Sequence, residues 1–134
     1  MNAAIELHDS VLERLEPRPA ALEIHFSHAY LHRSPGEPGV DPGTGWSQRA
    51  ILAIRSGTVD GALPPLPADV ADGRLRVPGT VHENCIPVPF EHGGAVELTL
   101  ELSTGHVITV AGSKAALQLV GEPQFIEDFP GARD

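Results

Sequence analysis

The most regular pattern in the chain lies in AVELTLELSTGHVITVAG, residues 95–112. Val96, Leu98, Leu100 and Leu102 are apolar where Glu97, Thr99 and Glu101 are polar; beyond the turn, His106, Ile108 and Val110 alternate with Val107, Thr109 and Ala111. A period of two is that of a half-buried strand, so this stretch predicts a β-hairpin. A two-residue turn would oppose Leu100 to Thr109, whereas a three-residue loop, Ser103 to Gly105, opposes Leu100 to Ile108 and Leu98 to Val110. The second register keeps apolar against apolar and puts Gly105 at the left-handed position of such loops, so it is the one expected. Glu97 and Glu101 then face solvent.

ALEIHFSHAYLHR, residues 21–33, alternates in its first half and predicts a strand from about Ala21 to His32. Its apolar positions Leu22, Ile24 and Phe26 give way to Tyr30 and His32, as in a strand leaving the core for a rim where a cavity can begin. His25, His28 and His32 resemble a metal-site spacing only on a helix. On a strand, His28 and His32 stand roughly 13 Å apart at ~3.3 Å per residue, too far for two ligands within ~2 Å of a shared zinc. His25 falls on the opposite face.

Further strands are expected through Ile51 and Ile54 with a turn at Ser56-Gly57, through Leu75 and Val77 with a turn at Pro78-Gly79, and around Leu117 and Leu119. In IPVPF, Pro87 and Pro89 cannot donate to a ladder, which predicts an edge strand. GALPPLPADVADG, residues 61–73, is expected to be an irregular connection. SVLERLEPRP is open between a short helix, with Ser10 and Glu13 as a capping box, and a strand. Together these segments predict an all-β or β-rich α+β chain, an antiparallel sandwich or flattened barrel with at most one short helix. A single domain, 1–134, would carry an ordered Gly/Pro loop at 34–46 and a C-terminal tail at 122–134 whose Phe125, Ile126 and Phe129 dock on the body or on a partner.

Composition narrows the functions. Gly 14 and Pro 13 favour short strands and turns, while 18 acidic against 9 basic residues give a net charge of −9. That balance argues against nucleic acid and against an anionic membrane, and it suits a protein partner that is itself basic. No export signal or membrane-length apolar run is visible, and a lone Cys85 cannot form an internal disulfide, so a cytoplasmic setting is expected.

No phosphate-binding loop, dinucleotide fingerprint, HExxH, GxSxG or paired CxxC is present, and no cofactor is expected. SPGEPGVDPGTGW is the most unusual stretch: Asp41, Thr44 and Trp46 are candidates for a recognition loop, against the plainer role of a loop anchored by Trp46. Tyr30 and His32 are candidates at the strand's rim. In LHDS, His8 and Asp9 could orient an imidazole as a general base, although neighbours on a strand face opposite ways and pair only across a bend. VHENC adds His82, Glu83 and Cys85. A metal-dependent or small-molecule enzyme would draw on His8, Asp9, His28, His32 or His82; the alternative is a noncatalytic binding module. Exposed edges and the apolar tail also allow a homodimer.

LHDS with VLERLE, and the closing GHVITVAGSKAALQLVGEPQFIEDF, resemble a loose group of small uncharacterised bacterial β-rich proteins that begin with an HDS or HDA motif. Some of these are similar to immunity proteins that neutralise polymorphic toxins. The resemblance covers the two ends of the chain. It implies a bacterial, cytoplasmic, β-rich protein with no catalytic residues to carry over.

Overall fold

Alternating apolar positions and Gly/Pro breaks divide residues 1–131, those described by this computed structural model, into strands alone. They are β1 (Asn2–Pro17), β2 (Ala21–Ser34), β3 (Gly43–Arg55), β4 (Thr58–Asp60), β5 (Ala68–Val77), β6 (Thr80–Glu83), β7 (Cys85–Val88), β8 (Phe90–Leu102) and β9 (Val107–Phe129). Every pairing is antiparallel. The hydrogen-bonded order is β6-β5-β8-β9-β3-β2-β1-β7, with β4 set beside β9, and β5 also pairs with β1 at Val11↔Asp69 and Leu12↔Ala68. That last contact closes a ring, so the chain is an all-β flattened barrel. Ser10–Pro17, open between helix and strand in the sequence, is strand.

Leu12, Ile24, Phe26, Leu52, Ile54, Leu98 and Leu100 fill the interior without exposure. Each such side chain contributes roughly 1.5–3 kcal/mol relative to exposure in water. The β8–β9 hairpin has the expected register, Leu98↔Val110 and Leu100↔Ile108, and Gly105 has φ 91°. β7 is at one end of the hydrogen-bonded path, the edge position its prolines require.

Several bounds differ from expectation for identifiable reasons. β5 starts at Ala68 because Ala68 and Val70 already alternate into the core once the proline run ends at Pro67. β3 starts at Gly43, so the irregular loop is only Pro35–Pro42, and Thr44 and Trp46 stand in a strand. β9 absorbs most of the tail as it pairs along β3 to Phe129; residues 132–134 lie outside the described residues. Phe125 meets the Trp46 ring edge-on at 5.4 Å and Phe129 meets His32 at 4.3 Å. Phe125 nevertheless stays 55% and Ile126 43% exposed. The tail is thus seated on its own body, while β6 and β7 remain the two ends of the hydrogen-bonded path.

Two bulges change which face the side chains take. In β2 the register slips between Phe26 and Ala29, so the core face passes from Ile24 and Phe26 to Ala29 and Leu31. Tyr30 and His32 therefore leave the face they would share with Phe26 in an unbroken strand. In β1 four residues, Leu7 to Ser10, oppose Ala29 between the pairs Glu6↔Tyr30 and Val11↔His28. Asp9 turns this bulge with φ 67°. The Ser10 hydroxyl secures it by donating to the Glu6 carbonyl at 2.6 Å and accepting from the Tyr30 amide at 3.3 Å.

Above the short β1–β5 contact those strands part, and β6 and β7 fill the gap as a wedge. β6 pairs with β5, β7 pairs with β1, and the chain reverses between them at Asn84 with φ 62°. The Asn84 amide donates to the Gly73 carbonyl at 2.9 Å, and its carbonyl accepts from the Leu7 amide at 2.7 Å. Its side-chain Oδ1 accepts from the His8 amide at 2.8 Å. Asn84→Ala removes the side-chain acceptor from a part-buried amide and strains the left-handed backbone; a loss of about 2–3 kcal/mol is expected in urea unfolding. Asn84→Gly relieves the backbone and retains only the cost of the lost acceptor, about 1 kcal/mol. Equal losses would show that the left-handed turn contributes nothing.

Candidate functional site

The bulge in β1 and the wedge at Asn84 leave a cleft of about 510 Å³ bounded by Glu6, His8, Asp9, Tyr30, Gly39, Glu83, Asn84, Cys85, Glu127, Phe129 and Gly131. It lies on the face of β1 and β2 that turns away from Ile5 and Leu31, and the Pro35–Pro42 loop and the end of β9 rise around it. Four carboxylates converge there, and no Lys or Arg is among the lining residues.

Glu6 is the most enclosed of the four, at 8% exposure. Its only side-chain contact within hydrogen-bond range, among the described residues, is the Cys85 thiol at 4.0 Å. Gly39 sits directly above: a Cβ there would come within 3.0 Å of Cys85 Sγ and 3.6 Å of Glu6 Oε1, and φ 88° suits glycine. Burial pushes the Glu6 carboxyl above its ordinary value; His8 partly offsets this, while Asp9 and Glu127 add to it as like charges.

Tyr30 reaches the cleft by passing over β3. A Cβ on Gly45 would lie 2.0 Å from the Tyr30 hydroxyl, so glycine there is what lets the ring cross. The hydroxyl then donates to Glu127 Oε2 at 3.1 Å. Burial, followed by that bond and by the surrounding carboxylates, holds the phenol proton on far more firmly than in free tyrosine. Burial likewise pushes the Cys85 thiol up to about 11, with Glu6 and Glu37 contributing, so the nucleophilic thiolate is scarce at neutral pH. At the rim, His8 Nε2 lies 3.4 Å from Asp9 Oδ2 across the bend that such a pair needs.

Of the candidates named from the sequence, His8, Asp9 and Tyr30 meet in this cleft, together with Glu83 and Cys85. The others stand apart. His32 is fully buried behind Phe129, kept from charging by burial, with Nδ1 accepting from the Gly39 amide and Nε2 without a hydrogen-bond partner. His28 Nδ1 bonds the Ser47 hydroxyl at 2.6 Å, and His82 packs edge-on to Phe90 at 5.3 Å. Asp41 Oδ2 accepts from the Glu37 amide at 2.6 Å, and Thr44 Oγ1 accepts from the Trp46 indole at 2.8 Å. These are loop and strand fastenings. Arg33 lies over the Trp46 ring at 4.8 Å.

Glu6 and Glu127 were missed from the sequence. Glu6 is one polar position in an alternating strand, and Glu127 joins it only through the β1–β2–β3–β9 pairings and a slip beside Gly45. Neither carries a local signal.

A second titratable cluster makes the contrast. Donor atoms of Glu16, Glu23 and His25 lie within 4.8 Å of one another, which is compatible with a metal. There, however, Arg14 and Arg18 engage Glu16 at 3.3 and 3.2 Å, Arg18 engages Glu23 at 3.3 Å, and His25 bonds Glu23 at 2.9 Å. Glu13 beside them is bonded by Arg49 at 2.8 Å. These acids have arginine partners; among the described residues no Lys or Arg pairs with the cleft's acids.

No family model, no curated protein and no solved structure matches the chain. The cleft therefore has to be understood from its own residues.

A raised Glu6 carboxyl has a defined thermodynamic sign. In the folded chain Glu6 holds its proton above 4.5, where the unfolded chain has released it, so its stabilisation is complete below that pH and is lost as pH rises through the folded value. Gln does not titrate. Glu6→Gln should therefore melt higher than wild type at neutral pH, with the difference shrinking towards pH 4.5. A difference independent of pH would mean that Glu6 is not the titrating group.

Proposed function

We propose that the chain is a noncatalytic binding module whose acidic cleft receives a cationic side chain of a basic protein partner. The observation that carries this reading is the convergence of Glu6, Asp9, Glu83 and Glu127 on a cleft that, among the described residues, no Lys or Arg lines. Glu6 is buried whereas Asp9, Glu83 and Glu127 are exposed around it; a buried carboxylate is costly unless a proton or a cation compensates it, and the net charge of −9 draws positively charged partners towards the surface. An immunity-like role against a basic toxin is the form this takes if the resemblance at the two ends of the chain holds, in a bacterial cytoplasm.

The alternative is an enzyme. It retains His8 with Asp9 as a base beside Glu6, but His28, His32 and His82 are committed elsewhere and the Cys85 thiol is a poor nucleophile at neutral pH. Substitution separates the two. An arginine-rich peptide should bind, more weakly as salt rises above about 0.1 M. Glu127→Gln should weaken it roughly tenfold, as expected for one charged contact of about 1.5 kcal/mol. Removing the same charge at exposed Glu122, away from the cleft, should leave binding nearly unchanged. Equal losses at both positions would reduce the attraction to net charge alone and sink the cleft as the binding site.

A further inference from the structure

We propose that His32 is a proton-operated latch: neutral, it fastens the 35–42 loop and the end of β9 over the strands beneath them, and its protonation releases both. The latch is independent of what the cleft receives.

The imidazole is held by two segments far apart in sequence. Its Nδ1 accepts from the Gly39 amide of the loop, and Phe129 of β9 packs edge-on against its ring at 4.3 Å. The residue has no exposure, and Nε2 has no hydrogen-bond partner among the described residues. An amide N–H can donate only to an unprotonated nitrogen, so the single proton of the neutral ring sits on Nε2. A second proton has only Nδ1 to go to, where it would meet the Gly39 N–H donor against donor. Charging His32 and keeping Gly39 bonded to it are therefore mutually exclusive. The charged ring would also lie in a site whose burial disfavours it.

No neighbouring charge offers that cation a partner in the closed state. β1 sets Ala4 opposite His32, with Glu6 two residues on and in contact with the Cys85 thiol, and β3 brings only Gly43 and Gly45. On β2 itself Tyr30 donates to Glu127 and Arg33 lies over Trp46. From the loop, Glu37 is exposed and Asp41 accepts from its amide; from β9, Glu127 and Asp128 are exposed beside Phe129. Carboxylates as a class take their protons roughly two pH units below imidazoles, so release through an acid of the loop would begin in a different range.

Opening reaches the cleft as well, because Gly39 and Phe129 both line it. In the open form His32 takes its proton near 6.5, in the closed form only at lower pH. The closed form is thus fully favoured above 6.5 and loses ground as pH falls below it. A single proton limits the change to about tenfold in the open-to-closed ratio per pH unit.

Hydrogen exchange at the Gly39 amide, corrected for its intrinsic pH dependence, reads the latch between about pH 7.5 and 5. Protection should be constant above about 6.5 and fall by up to about tenfold per unit below it. Opening the latch exposes little surface, so this exchange should be insensitive to low urea; exchange that steepens with urea like the global melt overturns the latch. His32→Asn keeps an acceptor for the Gly39 amide on a side chain that does not titrate, and should abolish the pH dependence; persistence there overturns the proposal. Wild type supplies a second test that needs no variant to fold: the imidazole nitrogen shifts of His32 should report the Nε2–H tautomer at neutral pH. The Nδ1–H tautomer, or a charged His32 with Gly39 still protected, overturns the proposal. Removing residues 132–134, which lie outside the described residues, should leave the pH dependence in place. Its disappearance would move the latch to the chain's end and overturn His32 as its seat.

Discussion

The reversal at Asn84 is the constraint from which both the barrel and its cleft follow. β1 and β5 share only two paired positions, and the ring stays closed beyond them because the β6–β7 wedge supplies the missing edges. A wedge of consecutive strands has to turn within a residue, which demands a left-handed backbone, and asparagine tolerates that conformation better than most side chains. Its amide, carbonyl and side-chain oxygen then satisfy Gly73, Leu7 and His8, groups that the parting strands would otherwise leave unpaired. The bulge opposite, closed by Ser10, takes up the extra chain length of β1. His8, Asp9, Glu83 and Cys85 flank this junction, so the irregularity that closes the wall also opens the cleft.

Glycine-rich GVDPGTGW has a related explanation. Gly43 and Gly45 lie two residues apart on β3, and therefore on one face. A Cβ at Gly45 would strike the Tyr30 hydroxyl and one at Gly43 would lie 3.0 Å from His32 Nε2, besides meeting the Arg33 carbonyl. The alternating glycines let the two aromatic rings lie across β3, one towards Glu127 and the other against Phe129. What the sequence presents as part of an ordered Gly/Pro loop at 34–46 is, from Gly43 onward, a strand stripped of side chains so that neighbouring rings can cross it.

Much of the fold was legible for a plain physical reason. Where a strand is straight and one face is buried, as in the β8–β9 hairpin, period two determines which residues meet, and the apolar pairing determines the register. The candidate site was legible only in part, because bulges are where that rule lapses. Nothing in HFSHAYLHR announces the slip after Phe26, so Tyr30 and His32 followed the face of Phe26 when the pattern was extended, and in the fold they take the other. His8, Asp9 and Tyr30 were recognisable as unusual polar residues near apolar strands. Glu6 resembled an ordinary solvent-facing acid, since its enclosure comes from a loop folded over the strand, and Glu127, which does stay exposed, joins it only through pairings 121 residues apart.

The placement of the few cations deepens the significance of that acidity. With only 9 Lys and Arg against 18 acids, the chain concentrates Arg14, Arg18 and Arg49 on Glu13, Glu16 and Glu23 at the far end of the β1–β2 hairpin. Those partly exposed pairs contribute modestly, because solvent screens them and long side chains lose freedom in making them. Glu6 is more enclosed than those acids, so a charge beside it would be screened less. Stability alone would therefore favour either an arginine at the cleft or an apolar residue in place of Glu6. A sequence that places three of its arginines on that end and, among the described residues, none beside its most buried carboxylate carries a local penalty, which under the proposed reading a partner's cation would relieve.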